Sequence, residues 1–452
     1  MIRAAFTGPW RFAVYAVVSA LYYLISYSTL REDFTQLMLL YAGLFVFYVA
    51  ALKYHNSDDL LPEVIFFSLF LRALLLFSVP NLSDDFYRFI WDGRMTAAGY
   101  GPYLYTPVDF AGLNFPGTMD HGLTTTLFEH LNSKDYYSVY PPLCQFIFFI
   151  AGQIAGASLY SQVICMHLIW LLFEAGTVYF LVKTLKRLNL DVSKVLIYAL
   201  NPLIILELTG NLHIEVMLLF FLTASIYFLV SNRQLLSAVF FGLAISSKIF
   251  PLILLPLLFR YIGFRRTIIF SSVAALVVIA GYLPFYDSLM IEHTLSDIRL
   301  YFNTFEFNAS FYYLWKWIGG WERLSIKSFL QQLLPFLGAA SILLLAAFYR
   351  SVSFFAACTL AIFFYFLFST TIHPWYITAL ILFAVLTPYR FAIWWSAFIF
   401  TTYITYQSVP FTENFYLVGI EYLAVVIVFI YEFVWRERKA GGIDPVVSQF
   451  KY

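Results

Sequence analysis

The chain has 452 residues, of which 62% are hydrophobic and 12% charged, with a formal net charge of +1. That balance excludes a nucleic-acid partner drawn by bulk charge. With a mean hydropathy of +0.79 it also excludes a soluble globular protein, and continuous apolar runs argue against the alternating pattern of a β-barrel.

Runs of about twenty apolar residues mean an all-α polytopic membrane protein with about 11–14 transmembrane helices. The first run, 12–30, follows Arg3 and Arg11. It reads as a signal anchor, because the polar turn Arg31-Glu32-Asp33 leads straight into a second span, 35–52. A third, 64–80, ends at a long polar loop, 81–142. Spans follow at 143–157, 159–183, 194–209, 212–231, 235–259 and 267–286, then a second polar segment, 287–326. The last spans are 327–349, 352–372, 374–388, 391–409 and 416–435. The organisation is one transmembrane domain, 1–435, with two long outer loops and a cytoplasmic tail, 436–452. Cys144, Cys165 and Cys358 sit in apolar surroundings and read as small buried hydrophobes.

Positive charge orients the chain. Arg3 and Arg11 at one end, and Arg436, Arg438 and Lys439 at the other, belong in the cytoplasm. Counting inward from either end puts 81–142, 287–326 and the His373 turn on the outer face. Lys183, Lys186, Arg187, Lys194 and Arg233 are also cytoplasmic by this rule, so 143–183 must cross an odd number of times. The run 235–259 starts and ends near cytoplasmic arginines, and two half-helices meeting at Lys248-Ile-Phe-Pro251 would explain both the parity and the buried lysine.

Charge concentrates in the first loop. Asp84, Asp85, Arg88, Asp92 and Arg94 place five charges in eleven residues, at a membrane boundary where ionisable groups are costly. A helix over 84–98 puts Asp84, Arg88 and Asp92 on one face, with Ser83 as its N-cap. A carboxylate beside a cation suits a general base acting on an acceptor hydroxyl; caps and pairs on an interfacial helix are the equally weighted structural reading. Tyr140 and its aromatic neighbours suit an interfacial belt or a sugar-stacking surface. Lys248 has about a dozen apolar residues on either side, too many for easy snorkelling. His213 stands near the start of a span, where a helix N-terminus favours an anion. His213 and Glu215 are two apart and cannot share a helical face. With Glu207 they form no recognised ligand pattern, so a divalent metal is conceivable but none is expected.

These segments, in order, resemble superfamily C glycosyltransferases. The matching pieces are Asp84-Asp-Phe-Tyr-Arg-Phe-Ile-Trp-Asp-Gly-Arg94, Tyr140-Pro-Pro-Leu143, Glu207-Leu-Thr-Gly-Asn-Leu-His-Ile-Glu215, Lys248-Ile-Phe-Pro251, Phe307-Asn-Ala-Ser310 and His373-Pro-Trp-Tyr376. The similarity is greatest to a bacterial group of polyprenyl-phosphate-sugar-dependent mannosyltransferases, with the GPI-anchor mannosyltransferase more distant, and it covers most of 81–376. It implies a GT-C-like fold and an inverting transfer of a sugar, with mannose expected. The donor would be a polyprenyl-phosphate-linked sugar and the acceptor lipid-linked, a glycan or a protein. The setting would be the bilayer of a bacterial inner membrane, with the active site facing the periplasm.

The resemblance also implies that an acidic residue of the first loop is the base. Aligned on Tyr87, the Asp-x-Asp of the eukaryotic relative puts its first Asp on Asp84 and its second on Phe86, leaving Asp85 without a counterpart. Both acids stay candidates, with a lean to Asp84. The leaving lipid phosphate needs cations: Lys248 and His373, then Arg88 and Arg94. Asp92, Tyr140, His213, Glu215, Asn308, Trp375 and Tyr376 would line the substrates. The rival reading is a flippase or transporter of a lipid-linked sugar without chemistry. The absence of a visible repeat and the large acidic loop weigh against it.

Overall fold

The computed structural model describes residues 8–54, 58–112, 122–296, 305–319, 324–349 and 352–433. The chain is an all-α polytopic membrane protein. Phe34–Tyr54, Leu159–Arg187 and Phe264–Phe285 are each long and apolar enough to cross a bilayer. There are also eight shorter apolar helices among the described residues. Among the described residues the only β-type pairing is an isolated bridge between Phe307 and Thr371. The tail 436–452 and its charges lie outside the described residues.

Several runs that hydropathy joins into one span are broken, and prolines account for the breaks, because proline cannot donate the helical N–H. The run 194–209 becomes Val192–Ala199 and a π-helix, Ile204–Gly210, bent by 59°. Pro202 lies between them, and the Asn201 side chain accepts from Leu203 N at 3.0 Å. The helix Gln234–Ile245 stops short of Lys248, and Pro251 then opens a 3₁₀ turn, Phe250–Leu254. Pro374 breaks no run but heads one, opening the 3₁₀ turn Pro374–Ile377 ahead of the helix Thr378–Leu386. Broken helices are tolerated at membrane depth where protein surrounds the freed backbone groups.

The first loop is a folded cap. Its helix Asp85–Ala97 packs on Pro142–Ala155 so closely that a Cβ on Gly93 would lie 2.5 Å from the Phe148 carbonyl oxygen. Charged side chains fasten the rest of the loop. Arg88 pairs with Asp92 at 2.7 Å and donates to the Ser133 and Tyr136 carbonyls at 2.8 and 3.0 Å. Asp92 also accepts from Ser138 Oγ at 2.5 Å and Gln145 Nε2 at 3.1 Å. Arg94 donates to Gln162 Oε1 and Ala157 O, both at 2.8 Å, and to Gly122 O. Below the cap, Arg72 and Glu174 form a fully buried ion pair at 2.7 Å, joining Leu61–Leu74 to Leu159–Arg187.

Candidate active site

Five chain breaks converge beneath the first loop: the start of Asp85–Ala97, the turn Asn211–Ile214, the break at Lys248, the turn before Pro374 and the bridge residue Phe307. Helix ends and turns, unlike helix bodies, can aim side chains and free backbone groups into a shared space.

The two candidate bases differ in their surroundings. Asp84, just ahead of the helix, is paired with Arg31 at 2.6 Å, and Arg31 lies over the Tyr406 ring. Asp85 accepts a hydrogen bond from Asn132 Nδ2 at 3.0 Å, and its own N–H is 3.3 Å from Ser83 Oγ. Loss of surrounding water raises the Asp85 carboxyl above its usual range; nearby His213 and the Asn132 bond pull it down, while Glu215 and Asp84 push it up. Asp85 therefore shares an electrostatic neighbourhood with the Asn211–Ile214 turn, although 128 positions separate it from His213. The Tyr140 hydroxyl also feels Asp85, after the larger effect of its own burial, which raises it.

The far wall is aromatic. His213 stacks on Trp375 with centroids 3.7 Å apart, Trp375 on His373 at 4.5 Å, and His373 on Phe307 at 4.7 Å. Tyr376 meets His373 edge-on. Burial pushes the His373 imidazole down to about 3, and the charges of His213 and Lys248 act in the same direction. His373 is thus a neutral hydrogen-bonding group at physiological pH. Lys248 supplies the cation: its Nζ forms an ion pair with Glu215 and retains some exposure, whereas Glu215 is buried.

Three buried polar atoms in this cluster have no partner among the described residues: His213 Nε2, Glu215 Oε2 and His373 Nδ1. Unpartnered buried polar groups are expensive, and these three belong to one cluster tied together by the Trp375 stack and the Lys248–Glu215 pair. Leu212, beside His213, has φ +58, a left-handed conformation that a bulky residue rarely adopts. Among the described residues no group of three or more metal-ligating side chains has the geometry to hold an ion.

An apolar groove of about 640 Å³ runs along the flank, between the first loop and the helix Phe264–Tyr282. Tyr100, Leu104, Phe146, Val277 and Phe285 line it, together with Ser246, two residues before Lys248. The Ser246 hydroxyl is buried without a partner among the described residues.

The structure brings Asp85, His213, Glu215, Lys248, His373, Trp375 and Tyr376 into this one region. Arg88, Arg94 and Asp92 are engaged in holding the cap. Asn308 is anchored by Glu421 at 3.0 Å and, through its backbone N–H, by Glu413 at 2.6 Å. Asn132, which holds Asp85, and Tyr403, which donates to Glu207, carry no signal in the sequence, and Phe307 and Arg31 stand in segments that the sequence marks without giving them a role in the site. The sequence places Glu207 in a matching piece and near His213, but not in contact with it, because contact between positions six apart follows neither helical nor strand spacing.

Residues 4–262 match the family model described as alpha-(1->6)-mannopyranosyltransferase, N-terminal domain. No curated protein and no solved structure matches the chain.

Proposed function

The chain belongs to the alpha-(1->6)-mannopyranosyltransferase family and is a mannosyltransferase-type glycosyltransferase; on that premise we propose that it takes mannose from a polyprenyl-phosphate donor, with inversion. The observation that carries this reading is the junction at Ser246–Lys248. An apolar groove of about 640 Å³ reaches Ser246, and two residues on, Lys248 belongs to a polar cluster with Glu215, two histidines and Asp85. A lipid-linked sugar phosphate has that division: an isoprenoid chain for the groove and an anion and sugar for the cluster.

In this reading Asp85 is the base. Asp84 is already paired with Arg31, whereas Asp85 faces His213 and Glu215 electrostatically. Asp85 removes the acceptor hydroxyl proton as that oxygen attacks the anomeric carbon. The phosphate leaves from the opposite side, held by Lys248 and hydrogen-bonded by His373. The aromatic edges of Trp375 and Tyr376 bound the sugar. The acceptor is a glycan, lipid-linked sugar or protein hydroxyl.

The site faces the periplasm of an inner membrane. Supporting this, Lys183, Lys186 and Arg187 mark one end of Leu159–Arg187, and the first loop is fastened at the other through Arg94 and Ala157. Its 29 residues span roughly 43 Å.

The test is purified protein in lipid nanodiscs given radiolabelled polyprenyl-phosphate mannose and a panel of mannoside acceptors. Transfer with an anomer opposite to the donor's is expected. Transfer from a nucleotide sugar alone, or with retention, overturns the reading. Lipid scrambling without transfer would favour a flippase.

A further inference from the structure

We propose that Glu207 positions His213 so that the imidazole Nε2–H protonates the phosphate oxygen leaving the anomeric carbon. This rests on the lipid-phosphate reading above.

Glu207 is fully buried in the π-helix Ile204–Gly210, and π-turns recur at functional sites. Its Oε1 accepts from Tyr403 OH at 2.7 Å and its Oε2 from Asn211 Nδ2 at 3.1 Å. His213 Nδ1 lies 2.9 Å from the Glu207 carbonyl oxygen and 3.3 Å from Oε2. Both neighbours are acceptors, so Nδ1 carries a proton in either charge state. Trp375 stacks on the ring at 3.7 Å, and Trp170 Nε1 donates to the His213 main-chain carbonyl at 2.9 Å, fixing the backbone that carries it. What remains is Nε2, buried and without a partner among the described residues. Asp85, Glu215, His373 and Lys248 are the other titratable groups around it.

A carboxylate behind an imidazole fixes its orientation and stabilises its protonated form. The proton balance closes. The acceptor oxygen forms a bond to the anomeric carbon and its proton passes to Asp85. The anomeric C–O bond breaks, its electron pair stays on the phosphate oxygen, and the His213 Nε2 proton moves there. The Asp85 proton then returns to His213 as product leaves.

The test is imidazole-nitrogen NMR on full-length protein in nanodiscs, with seven histidines and His213 assigned by its loss in His213→Asn. Wild type should show Nδ1–H with Nε2 titrating; a neutral Nε2–H tautomer overturns the proposal. In transfer assays Glu207→Gln should lower kcat by about 10²-fold with donor KM nearly unchanged, and move the alkaline limb of the pH profile down. Tyr403→Phe removes a donor from Glu207, leaves the carboxylate more basic, and should move that limb up. A structural role alone would not produce opposite shifts, and unmoved limbs in both variants overturn the proposal. Absence of transfer in wild type, with the expected tautomer present, would overturn the transferase reading and leave the Glu207–His213 pairing intact.

Discussion

The Nζ of Lys248 lies 3.7 Å from the centre of the Tyr376 ring while forming an ion pair with Glu215. An ammonium held by a ring face and a carboxylate is desolvated in advance on those sides. Its remaining surface is what a phosphate can reach. Lys248→Met should therefore reduce transfer by about 10²–10³-fold, the usual loss for one transition-state charge stabiliser. Lys248→Arg should restore little, because a planar guanidinium does not fit a point-charge site. Initial rates at saturating acceptor test this, and an unchanged Lys248→Met rate would remove the lysine from phosphate binding.

Asp84 and Asp85 separate under the same assay. Asp85→Asn should abolish measurable transfer, and Asp84→Asn should retain much of it, because Asp84 chiefly holds Arg31. The pH dependence has a definite sign. A base must be ionised, so the rate falls as pH drops through its pKa, and desolvation raises that of Asp85. The acid limb should lie above the ordinary aspartate range. Stability should behave oppositely: a carboxyl with a raised folded pKa contributes most when protonated, and that contribution is lost as pH rises through the folded value. Asp85→Asn should thus keep or raise the Tm at neutral pH while losing activity. A lowered Tm together with an acid limb at ordinary aspartate pH would refute the assignment.

Gly93 lets the loop helix sit on Pro142–Ala155. A Cβ there would lie 2.5 Å from the Phe148 carbonyl oxygen and 2.7 Å from its carbon, and backbone cannot yield as a flexible side chain does. Gly93→Ala gains helix propensity worth up to about 1 kcal/mol, but overpacking costs about 1–3 kcal/mol. The net change should be destabilising, and the displaced helix carries Asp85. Thermal unfolding in nanodiscs and the transfer rate should fall together; a higher Tm would mean that the two helices can separate freely.

Motif order in the sequence connects Asp85, His213, Glu215, Lys248 and Trp375, and the structure gathers these segments into one region. Periodicity misleads where proline interrupts an apolar run: hydropathy alone makes 194–209 a single span, and Pro202 makes it two pieces bent by 59°. Local charge density makes Arg88 and Arg94 look like anion binders. Arg88 does pair with Asp92 at helical i, i+4 spacing, but the other partners of the two arginines, the carbonyls of Ser133, Tyr136, Gly122 and Ala157 and the Gln162 side chain, lie far along the chain, which no spacing rule predicts. The contact of Glu207 with His213 needs both a π-turn and a left-handed Leu212. Neither leaves a signature in residue type.

Arg72 and Glu174 provide the sharpest stability test. Both side chains are fully buried. Glu174 also accepts from Tyr198 OH at 2.7 Å, and Arg72 donates to the Ala199 carbonyl at 2.8 Å. Burying the pair is costly in itself, and breaking it is costlier, because a lone charge would remain at membrane depth. Glu174→Gln should destabilise by about 3–5 kcal/mol. Arg72→Met with Glu174→Leu removes both charges but orphans the Tyr198 hydroxyl, so recovery should be partial until Tyr198→Phe is added. The pair also holds Tyr198 and Ala199, at the end of the first half of the bent segment whose second half carries Glu207, so Glu174→Gln should lower transfer as well as Tm, and the triple variant should restore Tm more fully than rate. Equal stability of Glu174→Gln and wild type by thermal unfolding would mean that water reaches Arg72 and that the segment is anchored elsewhere.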